Sequence, residues 1–239
     1  MAEADAGDGA CPVPGRLLAV SPHLDDAVFS CGDLLARAGQ ACVLTVFAGD
    51  APQGELSTDW DRRCGFSSAA QAMAARREEN RQALAALGAH EITLPWPDSQ
   101  YRHEAPAGLR EALRCALRSW RPDAVLVPLG LFHEDHWRAS DALLRIGAEG
   151  MLAPGRWWAY EEALYRRKPG LVQQRLAALL ARGVAVTPAP HLSCPAHPSK
   201  RAAVAAYASQ LAALGLGPGQ GGDTMLPERY WRLDWLHAA

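Results

Sequence analysis

Leu17-Leu18-Ala19-Val20-Ser21-Pro22-His23-Leu24-Asp25-Asp26 is the stretch that decides the fold of this chain. An apolar run, 17–20, is followed at once by Pro, His and two adjacent carboxylates. It reads as a buried strand ending in a loop that carries polar groups at the strand's carboxyl end, which is where open α/β sheets bind ligands. A second stretch of the same kind lies farther along: Ala124-Val125-Leu126-Val127, then His133-Glu134-Asp135-His136. Two strand ends that each offer His and Asp supply the donor types of a mononuclear metal site, which points to an enzyme rather than a scaffold.

Outward from these two strands, short apolar runs alternate with Ala/Leu/Arg-rich helical stretches. Strands are expected over 16–20, 41–47, 91–94, 124–127, 156–160 and 184–186. Helices are expected over 27–38, from a Ser67 or Ser68 cap to 87, and over 106–120, 137–147, 171–181 and 199–214, with Gly39 and Gly88 as helix stops and Ser199 as an N-cap. Residues 49–65 read as a long polar loop, the kind that is usually functional. The aromatic tail 228–236 is expected to pack back on the body. Repeated βα units predict an α/β, Rossmann-like fold, a mostly parallel sheet with helices on both faces. No internal repeat or composition shift divides the chain. Residues 1–14 are read as a disordered leader and 15–239 as a single domain.

With 239 residues, 49% of them apolar and 21% charged, the chain is long enough to bury a sizeable core. A net charge of -2 lacks the basic footprint of a nucleic-acid binder. No stretch approaches a membrane span, and the acidic start, with Glu3, Asp5 and Asp8, does not resemble a secretory signal. A cytoplasmic location is expected. The six cysteines are scattered, without a C-x-x-C pair, so neither a redox motif nor a thiolate zinc knuckle is expected. Cys42 and Cys115 are read as buried thiols.

A catalytic zinc takes about three protein ligands and keeps a position for water. His23 and Asp26, three residues apart, can turn toward one point. The third ligand must come from elsewhere in the chain, with His136 the best placed. In a sheet ordered 3-2-1-4-5, strands one and four are neighbours at the switch point, so the loops carrying His23 and His136 would meet there.

Pro22-His23-Leu24-Asp25-Asp26 and His133-Glu134-Asp135-His136 resemble the two signatures of the LmbE-like, or PIG-L, family of zinc-dependent de-N-acetylases. The resemblance runs from strand one to the helix holding Lys200, Tyr207, Ser209 and Gln210. It implies His23, Asp26 and His136 as ligands of Zn2+ or another divalent metal such as Fe2+. It also implies Asp25 as general base, His133 as oxyanion stabiliser or acid, and Asp135 as the group that orients a histidine. Leu24, Ala27 and Glu134 depart from the commonest family form, which has Pro, Glu and Pro there. Arg77, Asp98, Arg102 and Glu161 are expected to contact substrate.

The resulting expectation is a hydrolase that removes an N-acetyl or N-acyl group from an amino sugar on a small molecule or glycoconjugate. Two alternatives stay open: an amidase of a thiol-cofactor conjugate, and a non-catalytic carbohydrate-binding relative. A nucleotide-binding Rossmann protein is disfavoured, because no G-x-G-x-x-G follows strand one.

Overall fold

The computed structural model describes residues 15–236 apart from His103, Ala105, Pro154 and Pro218; the expected leader, 1–14, lies outside the described residues. β1 (Arg16–Ser21), β2 (Gln40–Thr45), β3 (His90–Thr93), β4 (Ala124–Pro128) and β5 (Trp157–Tyr160) pair in parallel. They belong to a seven-stranded sheet of order β3-β2-β1-β4-β5-β7-β6, where β6 is Val184–Pro188 and β7 is Tyr230–Trp235. The order 3-2-1-4-5 holds over the parallel part. β7 carries the aromatic tail back into the sheet, antiparallel to both β5 and β6.

The strands read as continuous apolar runs because both faces of the sheet are covered. Alternate residues enter two cores: Leu17, Ala19, Val43, Ala124 and Leu126 in one, Leu18, Val20, Leu44, Val125 and Val127 in the other. The first core is closed by α1 (Asp26–Leu35), α3 (Ala69–Leu87) and α7 (Pro198–Ala206). The second is closed by α4 (Leu109–Trp120), α5 (Glu134–Ala148) and α6 (Leu171–Ala181). Among the described residues no helix is long and apolar enough to cross a membrane.

Several expectations change, beginning with α1, which ends at Leu35 with Ala36 as its C-cap, so Gly39 is not its stop. The loop 49–65 holds a short helix, α2 (Asp59–Arg63), started by a capping box in which Thr58 Oγ1 accepts from Asp61 N and Asp61 Oδ2 accepts from Thr58 N. The expected helix 199–214 starts earlier, capped by His197, and breaks at Tyr207 into α7 and α8 (Ala208–Ala213). The break follows from tertiary bonds: the Tyr207 hydroxyl reaches Leu24 O and Asn80 Oδ1, and the Glu79 carboxylate accepts from Ser209 N at the start of α8. Cys115 is exposed, because Leu109, Leu113 and Leu117 form the buried face of α4 and Cys115 stands off it.

Candidate metal centre and active-site cleft

The loop after β1 is folded onto the start of α1 by its own polar groups. Ser21 Oγ donates to His23 O at 2.5 Å and accepts from Ala27 N at 2.9 Å. Asp26 Oδ2 accepts from His23 N at 2.8 Å. Asp25 is the N-cap residue of α1, yet its side chain makes no capping bond, so this carboxylate is not consumed by helix formation. After β4 the chain turns through Leu129–His133, and Glu162, just beyond β5, fastens this turn by accepting from Gly130 N and Leu131 N, both at 2.8 Å.

His23 and His136 share one arrangement. His23 Nε2 lies 3.1 Å from Asp135 Oδ2, and His136 Nδ1 lies 3.2 Å from Glu162 Oε1. A carboxylate only accepts, so each of these ring nitrogens carries a proton. The remaining nitrogens, His23 Nδ1 and His136 Nε2, both lie 3.2 Å from Asp26 Oδ2. Neutral rings would press two lone pairs against a carboxylate oxygen, an arrangement that calls for a cation. His136 Nε2 is buried without a hydrogen-bond partner among the described residues. Two imidazoles fixed by carboxylates, plus the Asp26 carboxylate, form a donor set suited to a divalent metal.

Without a metal, protons serve as the cation. Burial opposes charge on His136, but Asp26 and Glu162 push its pKa up to about 9. Burial likewise opposes charge on His23, and Asp98, Asp135 and Asp26 together hold its pKa well above the usual range. Burial would raise Asp26, yet His136 and His23 hold it well below the ordinary carboxylate value. Asp25 behaves differently: burial, then the neighbouring Asp26 charge, raise its pKa to about 6.

His133 caps α5, its Nδ1 accepting from Asp135 N at 3.2 Å. That fixes the neutral tautomer with the proton on Nε2. Burial, then the neighbouring His23 and His136, keep its pKa below the ordinary value. The three histidine rings stand 4.9–5.5 Å apart between centroids. His23, His133 and His136 offer donor atoms within 4.8 Å of one another, as do His23, Asp98 and Asp135. In the second group, Arg76 lies 3.6 Å from Asp98 and Arg102 is bonded to Asp135, so guanidinium charge already answers the carboxylates.

Asp98 and Arg102 therefore stand beside the histidines, whereas Arg77 and Glu161 do not. Arg77 donates to Ala48 O at 2.9 Å and pairs with exposed Asp50 at 2.7 Å. Adjacent residues on a helix point about 100° apart, so only one of the Arg76-Arg77 pair can face the cluster. Arg76 does, at 3.6 Å from Asp98, so the arginine expected at Arg77 is its neighbour. The signal was present: Ala69, Ala72, Met73, Arg76, Asn80, Ala83, Leu84 and Leu87 form the buried stripe of α3 at helical spacing. Glu161 accepts from Trp231 Nε1 at 3.0 Å, while Glu162 takes the His136 side, because side chains alternate beyond β5.

The cluster opens into a cleft of about 770 Å³ whose floor holds His23, Asp25, Asp26 and His133. Trp60 and Gln210 stand on one wall, joined by a bond from Trp60 Nε1 to Gln210 Oε1 at 3.1 Å. Phe132, Tyr165 and Lys168 also line the cleft.

Comparison with known proteins finds relatives in sequence and in fold. The profile of a family described as PIG-L, GlcNAc-PI de-N-acetylase, matches residues 18–146. The 2'-N-acetylparomamine deacetylase of Streptomyces fradiae is 34% identical over 162 residues, 59% of this chain and 53% of the relative, so the match spans about half the length of that curated protein. The solved structure of the A40926 pseudoaglycone deacetylase Dbv21 superposes with a TM-score of 0.76 at 27% identity, over 95% of this chain and 100% of the other. A triple mutant of the teicoplanin-pathway deacetylase Orf2 gives 0.72 at 26% identity, over 94% and 100%.

Proposed function

The chain belongs to the PIG-L, or GlcNAc-PI de-N-acetylase, family, and from that membership and the site geometry we propose a zinc-dependent hydrolase that removes an N-acetyl or N-acyl group from an amino sugar on a small molecule or glycoconjugate. The observation that carries the reading is the convergence of His23 Nδ1 and His136 Nε2 on Asp26 Oδ2, with Asp25 beside them on the cleft floor. His23, Asp26 and His136 would hold the metal, zinc or another divalent ion such as iron. When bound, such an ion lowers the pKa of water and polarises a carbonyl.

The chain's own groups supply the rest. Asp25, raised to about 6 by burial and by Asp26, is ionised at neutral pH and basic enough to take the proton of the attacking water. It then returns that proton to the amine nitrogen as the C–N bond breaks, releasing acetate and a free amine. His133, neutral with its proton on Nε2, donates a hydrogen bond to the oxyanion that develops on the carbonyl oxygen. Its acceptor bond from Asp135 N favours this role over proton donation. Asp135 and Glu162 hold His23 and His136 in their working tautomers. The relatives include a 2'-N-acetylparomamine deacetylase, a deacetylase of the pseudoaglycone of the antimicrobial reagent A40926 and a deacetylase of the teicoplanin biosynthetic pathway, which supports an antimicrobial-type glycoconjugate as substrate.

Acetate release from a panel of N-acetyl amino sugars, run beside cysteinyl amides, tests the reading. Turnover of the sugars alone supports it. Turnover confined to the cysteinyl amides would replace it with a thiol-conjugate amidase.

A further inference from the structure

Phe132 combines two unfavourable features. Its backbone sits at φ 58, in the left-handed region that bulky residues avoid. The residue is 53% exposed, although the chain has ample core in which to bury an aromatic side chain. The turn that holds it is not loose: His133 N donates to Leu131 O at 2.6 Å across Phe132, and Glu162 grips Gly130 and Leu131 just before it. Strain held by a rigid surround, next to residues of a site, is the pattern of a functional position.

The ring also has a definite place. It stands 5.3 Å from the Tyr165 ring, tilted 32°, and Tyr165 in turn meets His136 edge-on at 5.2 Å. Phe132 thus forms the outer end of an aromatic ladder that begins at His136 and lines the cleft. The ammonium of exposed Lys168 lies 4.2 Å from the ring centroid. Leu164, Leu214 and Leu216 line the same cleft. Tyr165 and Lys168 hold the ring in place, and 53% of the residue still stands exposed in the cleft, a surface that a ligand can cover.

We infer that Phe132 is a specificity-determining residue, a platform on which an aromatic or flat apolar group carried by the amino sugar stacks, one residue away from His133. The inference rests on the proposed de-N-acylase reading for the nature of the sugar. It narrows the substrate class from N-acyl amino sugars in general to those bearing an apolar aglycone.

The test compares 4-nitrophenyl and methyl N-acetylglucosaminide by calorimetric titration, in an Asp25→Asn background so that binding is read without turnover. The aryl glycoside is expected to bind about three- to tenfold more tightly, the usual worth of an aromatic contact. Phe132→Gly should bring the two glycosides to equal affinity, and Phe132→Tyr, which keeps the ring, should retain the preference. Glycine accepts φ 58 without strain, so Phe132→Gly should melt at or above the wild-type temperature. Equal or absent binding of the two glycosides by the parent protein overturns the inference. A preference that survives Phe132→Gly also overturns it, as does a Phe132→Gly protein that melts lower and loses both ligands, since the ring would then be structural. Acetate release from the same glycosides by the unaltered chain is scored separately. Aryl-selective binding with no acetate release would overturn the de-N-acylase reading and leave the role of Phe132 standing.

Discussion

His136 sits between two carboxylates, its Nε2 3.2 Å from Asp26 Oδ2 and its Nδ1 3.2 Å from Glu162 Oε1. One carboxylate comes from the first turn of α1 and the other from the residues after β5, so the ring ties together three parts of the sheet's carboxyl edge. The same Glu162 oxygen also accepts from Gly130 N and Leu131 N. It thereby fixes both the histidine tautomer and the turn that delivers His133.

Glu162→Gln keeps the shape but removes the charge and allows the amide to present a donor to the ring. Metal affinity is expected to fall about 10- to 100-fold, with little change in fold. Competition against a chelator of known affinity measures it, and circular dichroism checks the fold.

Asp25→Asn should leave metal binding intact and lower kcat by about 10²–10⁴-fold, the range for loss of a general base. The base must be ionised, so kcat/KM of the unaltered protein should fall on the acid side. The limb should lie at or below about 6, the value set by burial and Asp26, because a cation at Asp26 draws it downward. A pH profile that stays flat through this range would contradict the assignment.

In the metal-free protein the His136 pKa stands at about 9, above its ordinary 6.5. The pairing of its imidazolium with Asp26 and Glu162 therefore stabilises the fold fully below pH 6.5 and is lost as pH rises through about 9. Chelator-treated protein should melt at falling temperature across that interval. Metal must displace the same proton, so binding should release protons near neutral pH and strengthen toward pH 9. Calorimetry in buffers of different ionisation enthalpy counts the protons released.

Tyr207→Phe removes the hydroxyl bonded to Leu24 O at 2.8 Å and Asn80 Oδ1 at 2.7 Å. Both acceptors are left without that donor in the interior, a loss of about 1–3 kcal/mol by denaturant unfolding. Leu24 adjoins Asp25 and Asp26, so kcat should drop more than KM changes.

Much of this fold is legible because its central strands carry the signal locally. The run Leu17–Val20, followed by Pro22 and His23, is apolar on both faces, and the order 3-2-1-4-5, expected by analogy with one class of βα sheets, holds over the parallel strands. The far edge is less legible: β7 joins β5 and β6 antiparallel from the end of the chain, a long-range pairing that no local pattern encodes. The break at Tyr207 is of the same kind, since bonds to Leu24, Asn80 and Glu79 override a continuous helical pattern. Within the site, two motifs suffice to locate His23, Asp25, Asp26, His133 and His136 at neighbouring strand ends. Choosing Arg76 over Arg77, and Glu162 over Glu161, needs the phase of a helix and of a strand end, which a pair of identical neighbours hides. Phe132 carries no sequence signal, because its left-handed backbone is imposed by the turn around it.

A metal held by His23, Asp26 and His136 is expected to serve amide hydrolysis. Metal content per chain, read together with acetate release before and after chelation, tests it most directly, with His136→Ala alongside. The protein should carry one zinc or iron ion per chain, lose activity on chelation and regain it on reloading, and the variant should show neither metal nor activity. A protein that binds no divalent metal on titration, or one that hydrolyses its substrate equally well after chelation, would contradict it.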